Sequence, residues 1–437
     1  MKKKALCLGL AICFVALWGV TVNPVMAEAK EIKIGVIIPM SGALAATGKH
    51  LRDGYELAVD VINNKHPGLG IPIGEWEGIP SLGGAKIKLI FKDHRSDPGL
   101  GADLAKRLIE DEKVIGLMGC YNSSVTKTVS AVAERYGIPH LNGNSSSPLL
   151  TKRGFEWYWR TFPHDTFFVD DLFKLLDGMV KGKAPGVKPV PREEINTLAV
   201  AVEDTEWGSA VGKLIEEFAS ERGYKTAESF LYAHGAPDLT SETRRLVASK
   251  AGCYLFAPYI SDAILFIKTL KSMRAAPRLV WGQDAGFIVP DFIKTLGGDI
   301  NGILTRTTFC PTLATVKPLI GKINKMYRAK TGVDFTGNEA KSFTSVHTWA
   351  YVLNKAGSTK PEALRKEFNA LDIPGDELIM PWKGIKFGSP YPGETHQNEL
   401  GSGVIAQYQG YPGGRLEVIY PFELATAKMI YPFPGWK

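Results

Sequence analysis

Two serine-rich segments carry the chemistry most legible in this chain. Tyr121-Asn122-Ser123-Ser124 and Asn144-Ser145-Ser146-Ser147 each follow a short apolar run and stand at a helix start. Free N–H groups, hydroxyl donors and the positive end of a helix dipole suit a carboxylate. Further along, Trp207, Tyr259 and the pair Gln283-Asp284 also follow apolar runs. They offer aromatic walls and one negative charge. Each residue alone has an ordinary explanation, since Ser caps helices and Asp after a strand makes turns. Binding is favoured because both series place such groups at one edge, beyond the carboxyl ends of strands, where open α/β sheets bind ligands.

Enzyme signatures are absent. There is no His-Glu-x-x-His, Cys-x-x-Cys, Gly-x-Ser-x-Gly or Gly-x-Gly-x-x-Gly. The stretch from Gly42 to His50 follows a strand and opens a helix, as a phosphate loop does. It carries one residue too many between Gly42 and Gly48, and His50 stands where magnesium needs Ser or Thr. The eight histidines are scattered without helical or hairpin pairing, so no metal site is expected. Asp93-His94-Arg95-Ser96-Asp97 is expected to be a polar turn after a strand. Cys120, Cys253 and Cys310 are expected as small buried hydrophobes, with a single disulfide as the alternative. No catalytic residue and no cofactor is expected.

The elements that must position these residues are βα units. Ile34 to Ile38, Ile87 to Phe91, Val114 to Met118 and Ile138 to Leu141 are strand-like runs; the first three are followed by apolar residues at helical spacing, the fourth by a short helix starting at Ser147-Pro148. The pattern restarts at Leu198 to Val202, Phe230, Cys253 to Phe256 and Arg278 to Trp281. Repeated βα units imply parallel sheets covered on both faces, and two series imply two lobes. A chain of 437 residues also exceeds the roughly 250–300 at which one core stops growing. Lys65 to Gly84 and Lys181 to Glu194, rich in Gly and Pro, are expected as surface excursions. Helices are expected at 314–330, 339–356 and 361–368, and strands at 404–408 and 416–420.

The first residues have the form of a secretory signal. Lys2, Lys3 and Lys4 precede an uncharged run from Ala5 to Val22, and Val25-Met26-Ala27 offers a cleavage site after Ala27. Removing the three leader lysines lowers the formal charge from +7 to +4, too weak and dispersed for nucleic acid.

Several stretches resemble the periplasmic solute-binding proteins of branched-chain amino acid ABC importers, type I fold. They are IKIGVIIPMSGALAATGKHLRDGYELAVDVIN (32–63), DHRSDP (93–98), the segment 116–163 beginning GLMGCYNSSV, and VEDTEWGSAVG (202–212). The resemblance implies two Rossmann-like lobes with parallel central sheets, joined by a three-crossover hinge. It implies lobe 1 from 28–161 plus 306–402, and lobe 2 from 162–305 plus 403–437. The family's carboxylate-binding positions fall on Ser123, Ser145 and Ser146, its aromatic on Trp207 and, less closely aligned, Tyr259. Its ammonium-binding acid falls on Asp284. Removing that acid is then expected to abolish amino-acid binding and barely change the unliganded stability.

This sequence departs from the pattern at several places. Ser96 and Asn122 stand where cysteines are expected, Thr47 replaces a covering aromatic, and Asn144 replaces a small residue. The implied function is capture of an amino acid or related small carboxylate between the lobes, and delivery to ABC transporter permease subunits in the periplasm. A monomer is implied. A ligand-sensing receptor of the same fold and a secreted α/β enzyme are the alternatives.

Overall fold

The computed structural model describes residues 31–436. The leader, its cleavage site, Cys7 and Cys13 lie outside the described residues. Among those described, no helix is long and apolar enough to cross a membrane.

Two sheets organise the chain. The first has eight strands, in the order Asp372–Pro374, Gly384–Gly388, Gln397–Asn398, Tyr158–Arg160, His140–Asn142, Leu117–Gly119, Glu31–Ile38 and Lys86–Asp93. From Gln397–Asn398 to the Lys86–Asp93 edge all pairs are parallel. The second has seven, in the order Arg415–Tyr420, Val404–Gln409, Leu304–Thr307, Leu279–Gly282, Cys253–Ala257, Thr197–Glu203 and Lys225–Tyr232. It is parallel except around Val404–Gln409, which runs antiparallel to both neighbours. The chain therefore passes between sheets three times: after Arg160, after Thr307 and after Asn398.

The central strands are continuous apolar runs because helices cover both faces. Ile34, Val36, Ile37 and Ile38 are fully buried, as are Leu198, Ala199, Val200 and Ala201. Across the first lobe, Ala45–Asn64 packs on Gly337–Ala356. Gly54 lets these helices touch, since a Cβ there would lie 2.4 Å from the Glu339 carbonyl oxygen. The second helix begins with a capping box between Thr336 and Glu339.

Some expected elements shift. The runs expected as strands from Val114 and Ile138 pair only over Leu117–Gly119 and His140–Asn142. Their first residues instead close the preceding helices, Val114 through its N–H to the Leu108 carbonyl. The excursion from Lys65 to Gly84 is a string of three 3-10 turns with Ile71, Ile73 and Ile79 buried, so it covers the core. The corner at Asp93–Asp97 is likewise structural. His94 is fully buried, with Nε2 on the Cys120 carbonyl at 2.9 Å, and Asp93 accepts from the Met40 N–H at 2.8 Å. Cys120, Cys253 and Cys310 are buried free thiols, and burial pushes the Cys253 thiol up to about 12.

Candidate functional site

The carboxyl ends of both sheets face one cleft. Tyr121 stands in the turn after Leu117–Gly119, and Asn144 and Ser146 in the turn after His140–Asn142. From the other lobe come Trp207, in the first turn of Glu206–Glu221, Tyr259, just before Ile260–Ser272, and Asp284, after Leu279–Gly282. Together with Ala285, Arg306 and Lys341 they wall a cavity of only about 20 Å³. That is room for about one water, so the lobes are closed on each other.

The walls are aromatic on one side and charged on the other. The Tyr259 ring stacks on Trp207 at 5.2 Å, and Tyr121 of the first lobe meets Tyr259 at 5.7 Å. Opposite them, Arg306 Nη1 lies 2.5 Å and Lys341 Nζ 3.1 Å from Asp284 Oδ2. Arg306 Nη2 also reaches Asp165 Oδ1 at 3.1 Å and the Ser146 hydroxyl at 3.4 Å. Gln283 donates to Asp165 at 2.6 Å. The guanidinium lies 3.9 Å over the Phe168 ring, and the Lys341 ammonium 4.6 Å over Phe162. Burial lowers the pKa of Lys341, while Asp284 works against that shift. Burial likewise raises Asp165 against the pull of Arg306.

Three lining residues hold strained backbone. Tyr121 has φ 83°, Asp284 φ 50° and Ala285 φ 35°, a region that costs a non-glycine residue about 1–3 kcal/mol and clusters at ligand clamps.

The expected site residues divide. Asn144, Ser146, Trp207, Tyr259 and Asp284 line the cavity. Ser123 and Ser145 stand behind its wall in this closed arrangement. The Ser123 hydroxyl accepts from the Ser147 N–H at 3.3 Å, and the Ser145 hydroxyl donates to the Tyr121 carbonyl at 3.0 Å. They tie the two turns together. The expected helix start after Ser147 is a four-residue 3-10 turn, Pro148–Thr151, too short for a useful dipole. Asp284 is not the lone negative charge expected, because two cations already hold it.

Those cations, Arg306 and Lys341, escaped the sequence reasoning, as did Asp165. A signal existed. Arg306 interrupts the strand Leu304–Thr307, and Lys341 sits on a helix whose every face is buried from Gly337 to Ala350. Charged residues are almost never fully buried unless paired.

Residues 31–399 match the family model described as periplasmic binding protein. A Leu/Ile/Val-binding protein homolog 8 from Brucella abortus (strain 2308) is 25% identical over 404 residues, covering 91% of this chain and 93% of that protein. The fold resembles that of a leucine binding protein from Thermotoga maritima MSB8, at TM-score 0.71 and 19% identity, covering 90% and 99% of the two chains. It equally resembles a solute binding protein of an ABC transporter from Rhodopseudomonas palustris HaA2, solved with p-hydroxybenzoic acid. That likeness has TM-score 0.71 and 16% identity, covering 93% and 98%.

Proposed function

The chain belongs to the periplasmic binding protein family, whose members bind solutes and are not enzymes, and we propose that it captures a small carboxylate with an aromatic body for an ABC importer. One observation carries the ligand class: among the described residues the one acid lining the cavity, Asp284, is already paired with Arg306 and Lys341. An α-ammonium entering beside them meets two like charges. A carboxylate meets those two cations and one like charge, Asp284, which they already hold.

The unpartnered buried atoms of the lining agree. Asn144 Nδ2, Trp207 Nε1 and Arg306 Nε are donors without a partner and the Tyr121 hydroxyl can donate as well, against one free atom that only accepts, Asp284 Oδ1. A buried polar group without a partner costs about 1–3 kcal/mol, so this excess of donors favours an acceptor-rich ligand. Asp284 Oδ1 suits a ligand hydroxyl. Trp207, Tyr259 and Tyr121 supply flat apolar walls for a ring. The structural neighbour solved with p-hydroxybenzoic acid supports this reading.

The ligand enters when the lobes part and is enclosed when they close. It favours the closed state by its differential affinity for that state. The proposed location is the periplasm, after cleavage following Ala27.

Titration calorimetry with benzoate, 4-hydroxybenzoate and leucine tests this. Saturable binding of an aromatic acid, weakened by Trp207→Ala and absent for leucine, is expected. Binding of leucine alone would return the site to an amino-acid reading.

A further inference from the structure

Behind the aromatic wall lies a second cluster that ligand capture does not use. Glu203 ends the strand Thr197–Glu203, Asp262 stands in the first turn of Ile260–Ser272, and His234 follows Lys225–Tyr232. Sequence distance hides them from one another, and the sheet brings their three side chains together. Both carboxylates are fully buried, while the His234 side chain is one quarter exposed. His234 Nδ1 lies 3.2 Å from Glu203 Oε2 and 3.4 Å from Asp262 Oδ2.

We propose that Glu203, His234 and Asp262 form a divalent-cation site of the zinc or manganese class, reached past the exposed edge of His234. Bonds of about 2.0–2.2 Å to a tetrahedral ion set its ligands about 3.3–3.6 Å apart, and both Nδ1 separations fall at or near that spacing. The donor atoms all lie within 4.8 Å of one another. Nδ1 stands at ion-pair distance from both carboxylates, with a well-directed hydrogen bond to neither.

A second observation points to the same place. The Tyr232 hydroxyl is unpartnered on a side chain only 4% exposed. It faces the Glu203 and Asp262 carboxylates as a fourth donor beside their two oxygens and the His234 nitrogen.

The surroundings already orient the three ligands, as supporting hydrogen bonds do at metal sites. The Thr205 hydroxyl donates to Glu203 Oε1 at 2.9 Å, and the Ser261 hydroxyl to Asp262 Oδ1 at 2.8 Å. The inner oxygens take one N–H each: Tyr259 on Glu203 Oε2 at 3.3 Å and Gly235 on Asp262 Oδ2 at 3.0 Å. Two acids and one imidazole leave the site anionic when His234 is neutral, and a mixed N/O set suits these ions. The Tyr259 ring stands edge-on to His234 at 5.0 Å, so an ion here would brace the wall of the cleft.

The test is calorimetry of zinc alone into chelator-treated, full-length mature protein, with metal content counted by mass spectrometry. One zinc per chain is expected, bound at least about tenfold more weakly by His234→Ala and by Asp262→Asn. Far-UV circular dichroism confirms that both variants fold, Asp262→Asn keeping the shape of the side chain. No zinc on the wild type would overturn the proposal. So would undiminished affinity in two folded variants.

Discussion

Two charged clusters flank the same aromatic wall, and they are built on opposite principles. Around Asp284 the charges alternate in sign, Asp165, Arg306, Asp284 and Lys341, and every member is buried. Around Glu203 the acids outnumber their one titratable partner, and that partner touches solvent. A balanced cluster is complete within the protein. Its cost of desolvation is met by mutual attraction, provided no member is removed. An acid-rich cluster depends on a proton or an ion from outside. The first cluster is therefore a fixed part of the fold, and the second is conditional on its surroundings.

The sharpest way to break this contrast is Asp284→Ala. It leaves the Arg306 and Lys341 charges buried with only Asp165 opposing them. Loss of one partner from such a network costs about 3–5 kcal/mol, so the urea midpoint of unliganded protein should fall markedly at unchanged slope. The simple expectation for an ammonium-binding acid is the reverse, a large loss of affinity with little loss of stability. An unchanged midpoint would show that the network relaxes without its central acid.

The second cluster should show itself through pH. The Asp262 and Glu203 carboxylates raise His234 to about 10 against the penalty of burial, from an ordinary value of 6.5. A raised folded pKa gives stabilisation that is complete below about 6.5 and lost as pH rises through 10. Chelator-treated wild type should lose stability from pH 7 to 10 more steeply than His234→Gln. Tyr232 faces both carboxylates and Tyr259 faces Glu203, but burial holds both well above their usual range and they stay neutral across this window. Parallel profiles would mean that His234 does not carry the proton.

The smallest effect belongs to the exposed rim. Lys127 of the first lobe meets Glu206 of the second at 3.2 Å, with the lysine half exposed. Lys127→Ala should change stability by about 0.2–1 kcal/mol, and less in high salt. A larger loss of ligand affinity than of stability would assign the pair to closure.

Much of this molecule is legible in one dimension. Ile34–Ile38 and Leu198–Val202 announce buried parallel strands because both faces are covered and no alternation remains. Trp207, Tyr259, Asn144 and Ser146 can be placed at the cleft because the residues after a parallel strand must emerge at its carboxyl edge. The solute-binding family is also carried by local stretches such as 32–63 and 116–163. These are statements about a residue and its near neighbours, which sequence order preserves.

Only the tertiary structure decided the charges. Arg306, Lys341 and Asp165 come from a crossover strand, a helix of the first lobe and the first turn after another crossover; Arg306 and Lys341 meet Asp284 over 22 and 57 positions of chain, and Asp165 meets Arg306 over 141. Whether Asp284 is a free acid depends on those partners, because a buried charge takes its meaning from what neutralises it. Glu203, His234 and Asp262 likewise become a cluster only when parallel strands align their ends. Sequence fixes which groups can ionise, and the fold alone sets which of them face one another across a few ångströms without water.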